Sequence, residues 1–244
     1  MITDTLTVFS RELRPTLRNP FTIIISMVQP LVFLALFAPL LPKTDGGALQ
    51  WFVPGIVVMS CLFGASMTGS NLLFEIQTGS HERMLVTPLR RPALLVGRAL
   101  KEIVPMFAQA ALIVLVCLPF GFDLHLGGAL IGMLILAVFC TGLGALSYTL
   151  ALASKNQEWL FWTVQQTLLF PLLLLAGVLL PLDDGPGWLR TLAAFNPLRY
   201  VVNAERALFS GDVWASTTAT GLVAAAVVGV LGIAVGVRAM RRSD

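Results

Sequence analysis

The chain has 244 residues, of which 57% are hydrophobic and only 12% charged, with a formal net charge of +3. Soluble domains carry about 25% charged residues, so this composition excludes an ordinary soluble domain. A positive excess this small gives no footprint for nucleic acid beyond the basic bias of membrane loops. The class expected is an all-α integral membrane protein, a single transmembrane domain over residues 1–244.

The first twenty residues are polar and basic. They lack the apolar core of a cleavable signal peptide, and none is expected. Ile2, Leu6, Phe9, Leu13 and Leu17 recur at three- and four-residue spacing, with Arg11, Arg14 and Arg18 off that line. This pattern predicts an amphipathic helix on the inner membrane surface, kinked or shortened at Pro15.

About 20 apolar residues span a bilayer as a helix. Six such stretches are present: Phe21–Leu41, Trp51–Leu73, Ile103–Phe122, Gly127–Ala153, Trp159–Pro181 and Thr218–Val237. Placing both termini in the cytoplasm puts twelve basic residues inside and four (Lys43, Arg190, Arg199, Arg206) outside. That asymmetry sets the expected orientation, a multi-pass protein of the cell membrane in contact with the lipid bilayer. Cys61, Cys117 and Cys140 lie within spans and read as small packing residues.

The second span is rich in small and polar residues, including Ser66 and Asn71, and so is expected inside a bundle. After it comes a cytoplasmic loop over residues 74–101, whose stretch Phe74–Arg91 holds Glu75, Glu82, Arg83, Arg90 and Arg91. Ser80 is the N-cap expected for a short helix there, and Pro88 ends it. Two turns of helix are not stable alone in water, so a partner must hold it. Glu102 reads as an interfacial acid paired with Arg98 or Lys101.

Gly128-xxx-Gly132 and Gly232-xxx-Gly236 permit close helix crossings, although the spacing is common in membrane segments. The fifth span carries Gln165 and Gln166, amides that need partners in hydrocarbon, by helix–helix hydrogen bonding or by contact with a substrate. Together with Ser66 and Asn71 they are the pathway candidates. Residues 183–214 form an outer region, where Asn196-Pro197 starts an amphipathic helix that Gly211 ends. Val201, Val202, Leu208 and Phe209 share its apolar face with Glu205, opposite Arg199, Asn203, Arg206 and Ser210. An unpaired carboxylate on that face is costly. Glu205 is therefore expected either to pair with Arg190 or a group from a facing subunit, or to reach water from a shallow helix.

The chain has no phosphate-binding loop G-x-x-x-x-G-K-[ST], no metal-ligand cluster and no nucleophile–base constellation. It reads as a conduit driven by another subunit.

Two motifs give that reading a family. One is Glu75-x-x-x-Gly79-x-x-Glu82-Arg83-Met84-Leu85-Val86-Thr87-Pro88. The other is Asn196-Pro197-Leu198-Arg199-Tyr200 followed by Ala204-x-Arg206-Ala207-Leu208-Phe209. With the six spans they make the whole chain resemble the permease subunits of ATP-binding-cassette type-2 exporters, in the style of daunorubicin-resistance drug exporters. The resemblance implies a coupling helix, with Glu75, Gly79, His81, Glu82, Arg83, Leu85 and Pro88, docked on a separate ATPase. It implies two ATPase copies and a second permease copy, with ATP and Mg bound in the ATPase and no cofactor in this chain. Asn196, Tyr200, Glu205 and Arg206 become outer-gate candidates. Ser80-His81 departs from the Thr-Leu common in such loops. An exporter of polysaccharide or lipid-linked glycan shares the architecture; an integral membrane enzyme is the alternative of another class. An import permease is disfavoured, since no cytoplasmic E-A-A-x-x-x-G loop occurs late in the chain.

Overall fold

The computed structural model describes residues 2–18, 21, 24–25, 27–37, 39, 47–80, 91–155, 157–182 and 185–242. Among these residues the structure is helical, without strands. The helices are α1 (Ile2–Arg18), α2 (Val28–Phe37), α3 (Ala48–Gln77), α4 (Arg91–Lys101), α5 (Ile103–Cys117), α6 (Leu126–Ala153), α7 (Glu158–Leu175), α8 (Gly187–Ala194), α9 (Pro197–Phe209) and α10 (Ser216–Arg242).

Among the described residues four helices are long and apolar enough to cross a membrane: Ala48–Gln77, Ala93–Phe120, Leu126–Ala153 and Ser216–Met240. The second of these joins α4 to α5, so the predicted third span is the later part of a longer helix. The predicted first span is described only in part, as α2. The predicted fifth appears as α7, whose 18 residues extend about 27 Å at 1.5 Å per residue. Glu158, Gln165 and Gln166 lower its hydropathy, and the chain turns at Ala176–Gly177, where Gly177 takes the left-handed φ of 70°.

α6 lies at the centre, packed against α3, α9, α10 and α4. Its approach to α10 is at backbone level: a Cβ on Gly232 would collide with the backbone of Gly142. Close backbone approach is how small residues hold membrane helices together without a hydrophobic drive. By contrast, Leu112, Leu115 and Val116 of α5 stay exposed on the molecule's side, the side that meets lipid in a membrane protein.

Two apolar cores result. The smaller joins Val8 of α1, Leu72 and Leu73 of α3, Leu94 and Leu95 of α4, Tyr148 of α6, Phe161 of α7 and Met240 of α10. It marks the end of the molecule that carries α1 and the last turns of α10, called here the termini pole. The larger extends from mid-bundle to the far pole and includes Phe52, Phe122, Leu136, Val201, Leu208 and Phe209.

α1 corrects one expectation. Pro15 neither breaks nor shortens it, and the helix runs on to Arg18. Its packed face carries Thr5, Val8 and Glu12, at three- and four-residue spacing, while Leu6 is left exposed. Gly97 of α4 makes room for that face, since a Cβ there would stand 2.8 Å from Val8 Cβ.

Candidate functional site

At the termini pole, α3 carries Glu75 in its last turn. Thr78 then returns its N–H to Phe74 O, and Gly79 ends the helix with φ 67°. Thr78 and Gly79 thus close α3, where left-handed φ favours glycine, and Ser80, the expected N-cap, is already helical. His81, Glu82, Arg83, Leu85 and Pro88 lie outside the described residues.

Arg98 of α4, 4% exposed, draws this pole together. Its guanidinium pairs with Glu75 of α3 and lies 3.6 Å from Glu12 of α1. It also donates to the Tyr148 hydroxyl of α6 at 3.3 Å and sits 5.7 Å from that ring's centre. Lys101 adds Glu12 at 3.9 Å and Glu102 at 3.6 Å. Glu102 therefore pairs with Lys101, one of its two expected partners. Four helices meet on one cation, and its charge-assisted hydrogen bonds are of the stronger kind. Gln77 continues the link by donating to Glu158, the first residue of α7, at 2.8 Å. Glu12, Arg98 and Tyr148 were not singled out from sequence as a cluster; their separation of up to 136 positions leaves no local pattern to find.

Midway, the pathway candidates divide. Ser66 and Gln165 are buried, whereas Asn71 and Gln166 are exposed. The centre of the buried group is Ser147 of α6, which the sequence reading missed. Its hydroxyl donates to Ser66 O at 2.7 Å, receives the Gly69 N–H at 3.2 Å and stands 3.4 Å from Gln165 Oε1. Ser66 turns its own hydroxyl back to Leu62 O at 2.8 Å.

The far pole is built on α9. Asn196 caps it as expected, accepting the Leu198 N–H at 3.0 Å, and donates to Leu172 O of α7 at 2.7 Å. Tyr200 donates to Ala194 O at 2.8 Å, holding α8 beside α9. Arg206 donates to Trp51 O at 3.0 Å and to Gly177 O at 2.7 Å, with its guanidinium carbon 3.7 Å from the centre of the Trp51 ring. It thereby ties the start of α3 to the turn after α7. Gln50, which the sequence reading passed over, donates to both Asp123 O and Phe209 O, at 3.0 and 2.9 Å. His125 Nδ1 lies 3.1 Å from Phe209 O as well.

The apolar face of α9 is buried as its periodicity predicts, and Glu205 is buried with it. The Glu205 side chain is 0% exposed, and neither carboxyl oxygen has a hydrogen-bond partner. Among the described residues no arginine or backbone N–H reaches it, so the expected pair with Arg190 is not formed, and it does not reach water. α9 packs into the bundle instead of lying shallowly. Its seam with α6 is closed at two glycines one turn apart, where a Cβ on Gly128 would strike Leu208 O and one on Gly132 would strike Glu205. Burial without a partner pushes the Glu205 carboxyl up to about 8.

The sequence model of the ABC-2 type transporter family matches residues 3–210, which include both poles. The chain belongs to the ABC-2 type transporter family. It is 32% identical over 206 residues to a protein of Cyanophora paradoxa named as transport permease ycf38, covering 81% of this chain and 71% of that one. It is 27% identical over 220 residues to the daunorubicin resistance ABC transporter permease protein DrrB1 of Streptomyces coeruleorubidus, covering 86% and 76%. A protein of Mycobacterium tuberculosis named as doxorubicin resistance ABC transporter permease DrrC is 25% identical over 217 residues, covering 86% and 78%. The chain is thus an ABC transporter permease of the multi-pass membrane class.

Proposed function

We propose that this chain is the membrane subunit of an ATP-driven exporter that moves a hydrophobic or amphiphilic compound out of the cytoplasm or inner leaflet. ATP and Mg act in a separate ATPase, present in two copies beside two permease copies. The observation that carries the reading is the Arg98 junction. It fastens both ends of residues 78–97 to rigid helices, Glu75 before and Arg98 after, with the surface helix α1 as a brace. A loop clamped in this way transmits a push from a docked partner into α3, α4 and α6, where a free loop would absorb it. The drug-resistance names of two relatives support the substrate class.

Connectivity supports six crossings with both termini on the cytoplasmic side. The chain leaves α1 at the termini pole and begins α3 at the far pole, where Gln50 meets Asp123 and Phe209. It returns by α3, crosses by α4–α5, and returns by α6. It then crosses from Glu158, beside Gln77, to Gly177, beside Arg206, and returns by α10. Asn196, Tyr200 and Arg206, which cross-link the far pole, act as the outer gate in this scheme. Ser66 and Gln165 lie between the poles on the path a substrate would take.

The test is co-purification with a co-expressed ABC ATPase subunit, followed by drug-stimulated ATP hydrolysis. Charge reversal at Glu82 or Arg83 is expected to uncouple or dissociate the complex while insertion persists. Breaking a charge pair buried at an interface costs about 2–5 kcal/mol, against about 0–1 for an exposed pair. Full transport and ATPase binding in both reversals would sink the docking reading.

A further inference from the structure

Glu205 is the one buried carboxylate in the far half of the described residues, and the export reading does not account for it. Among the described residues, its surroundings contain no positive charge. Cys61 of α3 is near enough to feel a charge on Glu205, and Cys140 of α6 places its thiol 3.6 Å from Cys61 O. α10 holds charges only at its termini-pole end, Arg238, Arg241 and Arg242. Glu158 of α7 and Arg190 of α8 are exposed. Arg206, next in sequence, is turned to Trp51 O and Gly177 O. Arg199 and Tyr200 precede Glu205 by more than one turn, and His125 engages Phe209 O at the end of the seam.

A carboxylate anion in that setting loses its water and gains no counter-charge, so the seam admits the neutral acid and rejects the anion. The fit is close on the facing side, because Gly132 leaves room for the carboxyl and for nothing more. One turn away Gly128 lets Leu208 O lie against the α6 backbone. Any widening of the seam at one glycine must widen it at the other, since both contacts lie on the same pair of helices.

We propose that Glu205 is a proton-binding site, occupied when α9 is closed on α6 at Gly132, and that losing the proton to far-pole water forces the two helices apart. The ligand is the proton itself. On the export reading, opening this seam loosens the gate that Arg206 and Asn196 hold. That step rests on the export reading; the proton site does not.

The full chain in lipid nanodiscs serves for the test, as wild type, Glu205→Gln and Gly132→Ala. The wild type is expected to give the infrared C=O stretch of a protonated carboxylic acid at neutral pH, absent from Glu205→Gln, and half lost near pH 8. The stability profile has a definite sign. Between the ordinary value of 4.5 and about 8 the folded chain keeps a proton that the unfolded chain has released. Wild-type Tm therefore falls as pH rises through that window and levels off above it, while Glu205→Gln is flat there relative to wild type. Gly132→Ala holds the seam open, admits water and moves the infrared midpoint down toward 4.5. Hydrogen exchange across residues 198–209 should rise with that opening. A wild type and Glu205→Gln that agree in both infrared band and Tm profile would overturn the proposal. So would a Gly132→Ala midpoint equal to that of the wild type. Should the titration be found while no variant or wild type drives drug-stimulated hydrolysis with its ATPase, the export reading falls and the proton site stands.

Discussion

Arg98 and Glu205 are both withdrawn from solvent, at 4% and 0% exposure, yet the chain treats their charges in opposite ways. Around Arg98 it assembles carboxylates from α1 and α3 and a phenol from α6, so the charge stays and fastens helices together. Around Glu205 it assembles glycine and aliphatic backbone, so the carboxyl stays neutral and the helices meet directly. A buried charge with partners resists separation of the elements it joins. A buried acid without partners resists only while it keeps its proton. With the proposed proton site, the difference makes the termini pole a permanent joint and the far pole a conditional one.

The harshest challenge to this contrast is Arg98→Ala. It strands Glu75 without its cation and leaves Glu12 only Lys101 at 3.9 Å, and breaking a buried pair in this way costs about 3–5 kcal/mol. The expected result is a large fall in Tm and protease sensitivity of α1, with Arg98→Lys intermediate because ammonium cannot reproduce the guanidinium fork. If Arg98→Ala keeps wild-type Tm, the termini pole is held by Val8, Leu72 and Leu95 packing alone and the contrast fails.

A smaller effect is expected at the far pole from Gly128→Ala. The added Cβ meets Leu208 backbone, which cannot rotate away. Overpacking of this kind costs about 1–3 kcal/mol, measurable as a drop in Tm with the termini pole unaffected in α1 proteolysis. An unchanged Tm would mean that α9 already stands off α6, leaving nothing to exclude water from Glu205.

How much of this was legible beforehand follows from the range of the interactions. Asn196-Pro197, Gly211 and the apolar face of α9 are local signals, and the helix they specify is present from Pro197 to Phe209. Glu205 stood out at once on that face, but its fate depended on Gly132, 73 positions away in the sequence. Gly128-xxx-Gly132 was visible as a close-approach signal without its partner, which is α9. The Arg98 cluster left less trace: one arginine among several in a basic region, made distinctive only when α1 folds back onto α4. Pro15 suggested a shorter helix because proline breaks helices on average, whereas here α1 continues through it to Arg18. Ser80 was legible as a helix start, whereas the left-handed φ that ends α3 at Gly79 just before it is a property of the fold.

Between the poles lies a third case, a buried polar group that is neither charged nor orphaned. Ser147 bridges Ser66 O, the Gly69 N–H and Gln165 Oε1. Interhelical hydrogen bonds in membranes average about 0.6 kcal/mol, so Ser147→Ala and Gln165→Leu should each lower Tm only slightly. Ser147→Ala is the more informative of the two. It removes the hydroxyl with little change of volume and leaves the α3–α6 approach at Gly69 intact. If the group is a hinge bolt, both substitutions weaken stability to a similar small degree and leave drug-stimulated hydrolysis by the complex unchanged. If Gln165 contacts substrate, Gln165→Leu shifts the drug concentration needed for half-maximal stimulation while Ser147→Ala does not. A fall of several kcal/mol in either variant would place the strongest polar joint at mid-bundle instead of at Arg98, and the division of the molecule into a charged pole and a proton-held pole would have to be redrawn around α6.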